Sequence, residues 1–404
     1  MKQTTHRVLL LCPFGVYPPR SGGHRAILES ARYLANSGID VALYSYGLRR
    51  FEALRHFRSF RRVIEPGLTE YRHVSFWIWV DFLRRGRRGL PPLYAAEYVR
   101  RSRDEILYRL ASEADILLCE SPWFFPLRPP DKPVMFVAHN VELDLAGRNM
   151  RLTAEARKAI REMESLAWRE SDTAICLTAE DRERMESLYG TRRSHILPIG
   201  VDTRSMKPGH PARREEIRRR LGVEGKFVVL FTASWHPPNR EALKRIEAWA
   251  RLCDDPDILW VAAGSVGNRA RSHARFLQTG PLTDLSDWFL AADCAVNPLL
   301  EGSGMNVKML HCLAYGLPVV TTPFGARGLP VQNGAEAMVV PLERFVGAVK
   351  DLKQNESLRA RIGERARNWV VTRYSWDVVG RKKRDLLLSM LRPRPDNGPK
   401  VPAF

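Results

Sequence analysis

Short apolar runs recur along the chain, separated by polar stretches with helical spacing. The runs cover residues 8–12, 41–46, 116–119, 134–138, 174–177 and 196–198. After Pro208 the pattern restarts, at 227–232, 258–263, 274–278, 294–297, 319–321 and 338–340. Continuous apolar runs, rather than alternating ones, mark strands covered on both faces in a parallel sheet. Between them, residues 26–37, 153–170, 240–252 and 306–315 place apolar side chains at helical period. Two such series predict an α/β chain with two doubly wound, Rossmann-like units. The polar segment 203–216, with two prolines and a glycine, reads as the linker between them. Residues 376–391 form a last helix, and the Pro-rich tail 392–404 is expected to be disordered.

The length of 404 residues agrees with two large domains. At 45% hydrophobic and 27% charged, the chain is an ordinary globular protein, which excludes collagen, coiled coil and wholesale disorder. No apolar stretch reaches the roughly 18 residues that span a bilayer. The first twelve residues lack the apolar core of a signal peptide, so a cytoplasmic protein is expected. Cys12, Cys119, Cys176, Cys253, Cys294 and Cys312 show no Cys-x-x-Cys spacing and read as reduced, buried thiols.

Charge changes the picture more. The net charge is +19, and residues 49–103 hold 14 Arg/Lys against 5 Asp/Glu. A basic surface suits an anionic membrane or a phosphorylated substrate. No nucleic-acid motif accompanies it, so nucleic acid is not an expected partner. Trp77 and Trp79 beside Arg84, Arg85, Arg87 and Arg88 suit contact with anionic lipid. A buried element with a charged end fits the same residues.

In open α/β sheets, ligands bind beyond the carboxyl ends of the strands. After the first run, Gly22 and Gly23 precede a helical stretch that starts near Arg25. A glycine pair there lets a phosphate or sugar reach backbone amides at a helix N-terminus; a plain turn is the other reading. His139, Asn140 and Glu142 follow the run 134–138, where a local backbone role for the histidine is equally open. After 227–232 comes Ser234; Pro237 and Pro238 stop the strand, and Asn239 is placed to cap a helix from Arg240. The segment 298–322 carries the strongest pattern. Glu301 is followed by Gly302, Ser303 and Gly304, then Met305 and Asn306 open a helix with Lys308 in its first turns and Gly316 at its end. Backbone donors, a helix dipole and a cation together suit a diphosphate. Glu301 is placed to accept hydrogen bonds from sugar hydroxyls. Metal-ligand spacings are absent from the sequence, so no metal site is expected.

In this order, these features resemble a retaining glycosyltransferase of the GT-B fold, in the family 4 group of nucleotide-sugar enzymes. The glycine pair, the His139–Glu142 group, the stretch 197–202 with Gly200 and Asp202, and the segment 301–322 carry the resemblance. Gly280, ahead of 288–292, is similar to that family's nucleobase loop. The resemblance implies two domains facing across a cleft. Residues 1–203 would bind the acceptor and 204–375 the nucleotide sugar, with helix 376–391 returning toward the first domain. It implies catalytic roles for His139, Glu301 and Lys308. It implies donor binding by Gly22, Gly23, Ser234, Asn239, Gly280, Gly302, Ser303, Gly304, Met305, Asn306 and His311, and acceptor contacts by Asn140 and Glu142. No metal or other cofactor would be needed. The implied partners are a nucleotide sugar and a saccharide or lipid-linked acceptor; the basic segment adds an anionic membrane surface, at the inner face of the cell membrane, as the other expected contact. His311 stands where the family commonly places a ribose-binding Glu, and Ser234 and Asn239 lie where it has an Arg and Lys pair. These departures make a non-catalytic glycosyltransferase-like subunit one alternative; a sugar-nucleotide epimerase of the same two-domain architecture is the other.

Overall fold

The computed structural model describes residues 6–19, 22–46, 59–76, 80, 104–149, 153–273, 275–302 and 304–391. The first unit runs β1 (Arg7–Cys12), α1 (Gly22–Asn36), β2 (Asp40–Tyr46), β3 (Phe60–Glu65), β4 (Leu68–His73), α2 (Glu105–Glu113), β5 (Ile116–Cys119), a 3-10 turn (Pro122–Leu127), β6 (Val134–Ala138), α3 (Glu142–Asn149), α4 (Ala154–Glu170), β7 (Thr173–Cys176), α5 (Ala179–Tyr189) and β8 (Ser194–Ile196). Its sheet has the order β3-β4-β2-β1-β5-β6-β7-β8, parallel except for the β3–β4 hairpin at one edge.

The second unit runs α6 (Pro211–Leu221), β9 (Phe227–Thr232), α7 (Pro237–Leu252), β10 (Ile258–Ala263), β11 (Arg271–His273), β12 (Phe276–Gln278), α8 (Ser286–Ala291), β13 (Cys294–Asn297), α9 (Val307–Ala314), β14 (Val319–Thr321), β15 (Met338–Val339), α10 (Phe345–Gln354), α11 (Glu356–Tyr374) and α12 (Trp376–Met390). Its order is β11-β12-β10-β9-β13-β14-β15, with only the edge strand β11 antiparallel. The expected α/β class with two doubly wound units is what the chain adopts.

Burial on both faces explains why the strands read as unbroken apolar runs. In β1, Leu9 and Leu11 pack with Phe124, Phe136 and Trp168 on one side, and Val8 and Leu10 pack with the α1 face on the other. Helix starts follow side-chain chemistry: Asp104, Thr153 and Thr178 each accept a backbone N–H at the start of α2, α4 and α5. All six cysteines are buried free thiols. Among the described residues no helix is long and apolar enough to cross a membrane.

Three local expectations are corrected. Helix α1 begins at Gly22, so Gly22 and Gly23 form its first turn instead of a loop before it. Helix α7 begins at Pro237 with His236 at the N-cap position, so Asn239 lies inside the helix and does not cap it. Proline is favoured in a first helical turn, where its missing N–H costs nothing. The same rule explains α6, which takes up the expected linker from Pro211 onward: Pro211 opens it and left-handed Gly222 closes it. Its Arg214 and Arg218 reach Asp293 at the foot of β13. The hairpin β3–β4, which no apolar run announced, turns the charged Glu70 and Arg72 inward beside Leu68. Glu70 is fully buried, and its Oε1 accepts from Arg72 at 2.6 Å.

The chain crosses between units at two adjacent points. Val201 N–H donates to Tyr374 O at 2.7 Å, and Trp376 N–H returns a bond to Val201 O. Helix α12 then packs on α1 of the first unit, with Gly380 set so close to the Tyr33 ring that a Cβ would sit 2.5 Å from it. Farther out, Arg327 of the second unit pairs with Asp181 of α5 at 2.5 Å.

Candidate functional site

The loops beyond β13 and β6 meet across the cleft. Gly304 adopts φ +65°, a left-handed conformation that favours glycine. A side chain here would also collide with the first unit: its Cβ would lie 2.7 Å from Asn140 Oδ1 and 3.0 Å from His139 O. Glycine thus lets the loop after β13 and the His139 segment touch. Asn306 helps fix this loop by donating to Gly325 O at 2.9 Å, and Met305 is buried in the core. Glu301 is exposed at the loop's start.

Lys308 lies in the first turn of α9. Its Nζ donates to Asn239 Oδ1 at 2.6 Å and stands 5.1 Å from the Phe231 ring centroid. Asn239 is oriented in turn by donating to Ser234 O at 2.9 Å. Lys308 makes no ion pair among the described residues, and burial lowers its pKa to about 7. A partly buried cation held by a neutral amide and a ring lacks a compensating charge. His236, at the N-cap of α7, belongs to the same pocket. Burial and the nearby Lys308 push its pKa down, and Glu301 opposes them.

His311 lies one turn further along α9. Burial, then the cationic Arg25 at the start of α1, lowers its pKa to about 4, so it is neutral at physiological pH. Its ring meets Phe289 edge-on, with centroids 6.5 Å apart, and Tyr315 stacks on Phe289 at 4.8 Å. Tyr315 OH donates to Ser286 Oγ at 3.2 Å. Gly280, at φ +72°, turns the chain after β12 ahead of this aromatic wall.

On the first-unit side, His139 Nε2 lies 2.6 Å from Glu120 Oε2. Glu142 opens α3 beside the buried Glu164, which accepts the backbone N–H of Glu142 and Leu143 and the Tyr189 hydroxyl. Burial, with the repulsion of Glu164, pushes the Glu142 pKa up to about 8. At neutral pH Glu142 is therefore mostly protonated and able to donate. Gly22 and Gly23 are exposed at the first turn of α1, and nothing lies within 4 Å of a Cβ built at Gly22.

The structure thus gathers His139, Asn140, Gly304, Asn239 and Lys308 around one junction, and His311 with Arg25 nearby. Ser303, Trp77, Trp79, Arg84, Arg85, Arg87 and Arg88 lie outside the described residues, as does the tail 392–404. Motif reading missed Glu120, His236 and Lys383. Glu120 directly follows an apolar run, so a search of strand ends had the signal. Lys383 interrupts the apolar stripe of α12. Among the described residues no group of three or more His, Cys, Asp or Glu is placed to hold a metal ion.

Residues 20–205 match the family model described as Glycosyltransferase Family 4, and residues 226–355 match the one described as Glycosyl transferases group 1. A GDP-mannose-dependent alpha-(1-6)-phosphatidylinositol monomannoside mannosyltransferase of Mycobacterium tuberculosis is 26% identical over 238 residues, 54% of this chain and 62% of the relative. A GDP-mannose-dependent monoacylated alpha-(1-6)-phosphatidylinositol monomannoside mannosyltransferase of Corynebacterium glutamicum is 23% identical over 240 residues, 54% of this chain and 63% of that relative. The chain thus spans less than two thirds of either relative's length. In fold, it is similar to the sucrose-phosphate synthase of Thermosynechococcus elongatus, with a TM-score of 0.71 at 14% identity, covering 95% of this chain and 99% of that one.

Proposed function

Because the chain belongs to the group 1 and family 4 glycosyltransferases, whose two models match successive parts of it, we propose that it moves a hexose from a nucleotide sugar to a saccharide or lipid-linked acceptor. The anomeric configuration is retained, and the product is a cell-surface polysaccharide or glycolipid. The observation that carries this reading is Lys308: a partly buried cation with no ion-pair partner among the described residues, at a helix start, behind a glycine loop that touches His139.

In this mechanism the acceptor hydroxyl attacks the anomeric carbon on the face from which the diphosphate departs. The bond from that carbon to the phosphate oxygen breaks, and the departing phosphate takes the hydroxyl proton. The protein supplies electrostatic stabilisation and positioning, not a nucleophile. Lys308 and the backbone of the loop around Gly302 and Gly304 meet the charge that grows on the diphosphate. Glu301 holds hydroxyls of the donor sugar, and His311 with Arg25 faces the nucleoside. His139, Asn140 and a protonated Glu142 line the acceptor side. No metal is required, so chelation with EDTA leaves turnover unchanged.

Because both curated relatives are named as GDP-mannose-dependent enzymes acting on a phosphatidylinositol mannoside, GDP-mannose is the first donor to try, and a glycolipid the first acceptor. The test follows GDP release and reads the anomeric configuration of the new linkage by NMR. GDP release with an α-linked product from the α-configured donor supports retaining transfer. An inverted product overturns retention, and mannose isomerisation without transfer supports the epimerase reading.

A further inference from the structure

Glu120 and Lys383 belong to no motif of the sequence, yet they meet beside His139. Glu120 directly follows β5, and Lys383 sits on the buried face of α12 with Val379 and Leu387. Lys383 Nζ donates to Glu120 Oε1 at 2.8 Å and to Ser30 Oγ at 2.9 Å. The second carboxylate oxygen, Oε2, is the one 2.6 Å from His139 Nε2. Glu120 is 3% exposed and Lys383 7%, so solvent does not satisfy them. Burial alone would raise the Glu120 pKa, but Lys383 and His139 outweigh it and hold it at about 2.

The chemistry of this contact has one consistent proton arrangement. An ionised carboxylate only accepts hydrogen bonds. Lys383 engages Oε1 and leaves Oε2 to the ring, so Nε2 carries the imidazole proton. His139 Nδ1 has no hydrogen bond to a described residue, and the side chain is 20% exposed. We propose that Glu120 and Lys383 are positioning residues that hold the proton of His139 on Nε2, so that the ring in its neutral form is the Nε2–H tautomer and leaves Nδ1 to the cleft as a hydrogen-bond acceptor for a sugar hydroxyl. Helix α12 thereby completes the first unit's half of the site. The identity of the hydroxyl rests on the glycosyl-transfer reading; the tautomer does not.

Glu120→Gln separates this role from mere packing. Its amide oxygen turns toward the Lys383 ammonium, since two donors repel. Its NH₂ then faces the ring, and His139 must accept at Nε2 and carry its proton on Nδ1. The measurement is a two-bond proton–nitrogen correlation on full-length, histidine-labelled protein at about pH 8, above the ordinary imidazole pKa. His139→Gln identifies the signal among the ten histidines. The expected result is Nε2–H in wild type, Nδ1–H in Glu120→Gln, and a mixture of tautomers in Lys383→Met. A wild-type ring that is Nδ1–H or mixed overturns the proposal, as does an unchanged tautomer in Glu120→Gln; a single tautomer kept in Lys383→Met removes Lys383 from it. If the variants do not fold, the wild-type spectrum decides. No donor is added, so failure of the transferase reading leaves this result untouched.

Discussion

The two sides of the cleft treat charge in opposite ways. On the first-unit side, Glu120 is matched by Lys383 and hydrogen-bonded to His139, and the group is complete without a ligand. On the second-unit side, the partly buried Lys308 has an amide oxygen and an aromatic ring beside it and no ion-pair partner among the described residues, and burial lowers its pKa to about 7. The difference matches what each side would meet. Sugar hydroxyls are neutral and need fixed donors and acceptors. A departing diphosphate is anionic and needs a cation that nothing else has neutralised. Satisfied charge marks the first kind of site, and missing counter-charge marks the second.

The largest effect that tests this contrast is on stability. Lys383→Met strands the buried Glu120 carboxylate and is expected to cost about 3–5 kcal/mol in chemical denaturation. Lys308→Met in the same assay is expected to cost nothing, or to stabilise the unliganded protein by about 1 kcal/mol at neutral pH. The sign follows from its lowered pKa. Between its ordinary value of 10.5 and about 7, the unfolded chain holds a proton that the folded protein has released. The burial penalty is therefore full below about pH 7 and is relieved as pH rises toward 10.5. Equal losses in the two variants would erase the contrast.

In catalysis the ranking reverses. Lys308→Ala is expected to lower turnover by about 10²–10³-fold, the usual scale for one transition-state donor, with an unchanged or higher melting temperature. A folded variant at full turnover would remove Lys308 from the mechanism. A smaller effect is proton uptake. Above about pH 7 the free site holds neutral Lys308, so an arriving nucleoside diphosphate must recruit a proton. Affinity then falls by up to about tenfold per pH unit. Calorimetry in buffers of different ionisation enthalpy reads this directly, and buffer-independent heats at pH 8 would contradict it. The smallest effect concerns His311. His311→Glu replaces a neutral ring with a carboxylate, and charge-assisted bonds to ribose hydroxyls are stronger by about 1 kcal/mol. Nucleoside diphosphate binding is expected to tighten about fivefold, and weaker binding would show that the neutral His311 is the better fit beside Arg25.

The contrast also bears on what a sequence displays. The strands and the 301–311 segment were legible, because burial on both faces writes continuous apolar runs and a loop-to-helix anion site is local in the chain. Lys308 could be singled out from neighbours a few residues away. The Glu120–Lys383 pair joins residues 263 positions apart, and no local pattern signals such a meeting. Polar interiors were hidden too. Glu70 and Arg72 face inward in β4, so hydrophobic periodicity fails there. Helix α6 has Ile217 as its one buried apolar residue, so only its proline start and glycine stop could have revealed it. The exact starts of α1 and α7 turned on whether Gly22 and Pro237 lie inside the first turn, which composition does not decide.

The central claim is that the Lys308 pocket binds a nucleotide sugar through its diphosphate. The most direct measurement is thermal shift with UDP-, GDP-, ADP- and dTDP-sugars, without added metal, on wild type and Lys308→Ala side by side. A ligand that binds only the folded protein raises its melting temperature by mass action. The account predicts that one nucleotide class stabilises the wild type and that Lys308→Ala abolishes the shift. No shift from any donor at millimolar concentration, or an equal shift in both proteins, would contradict it.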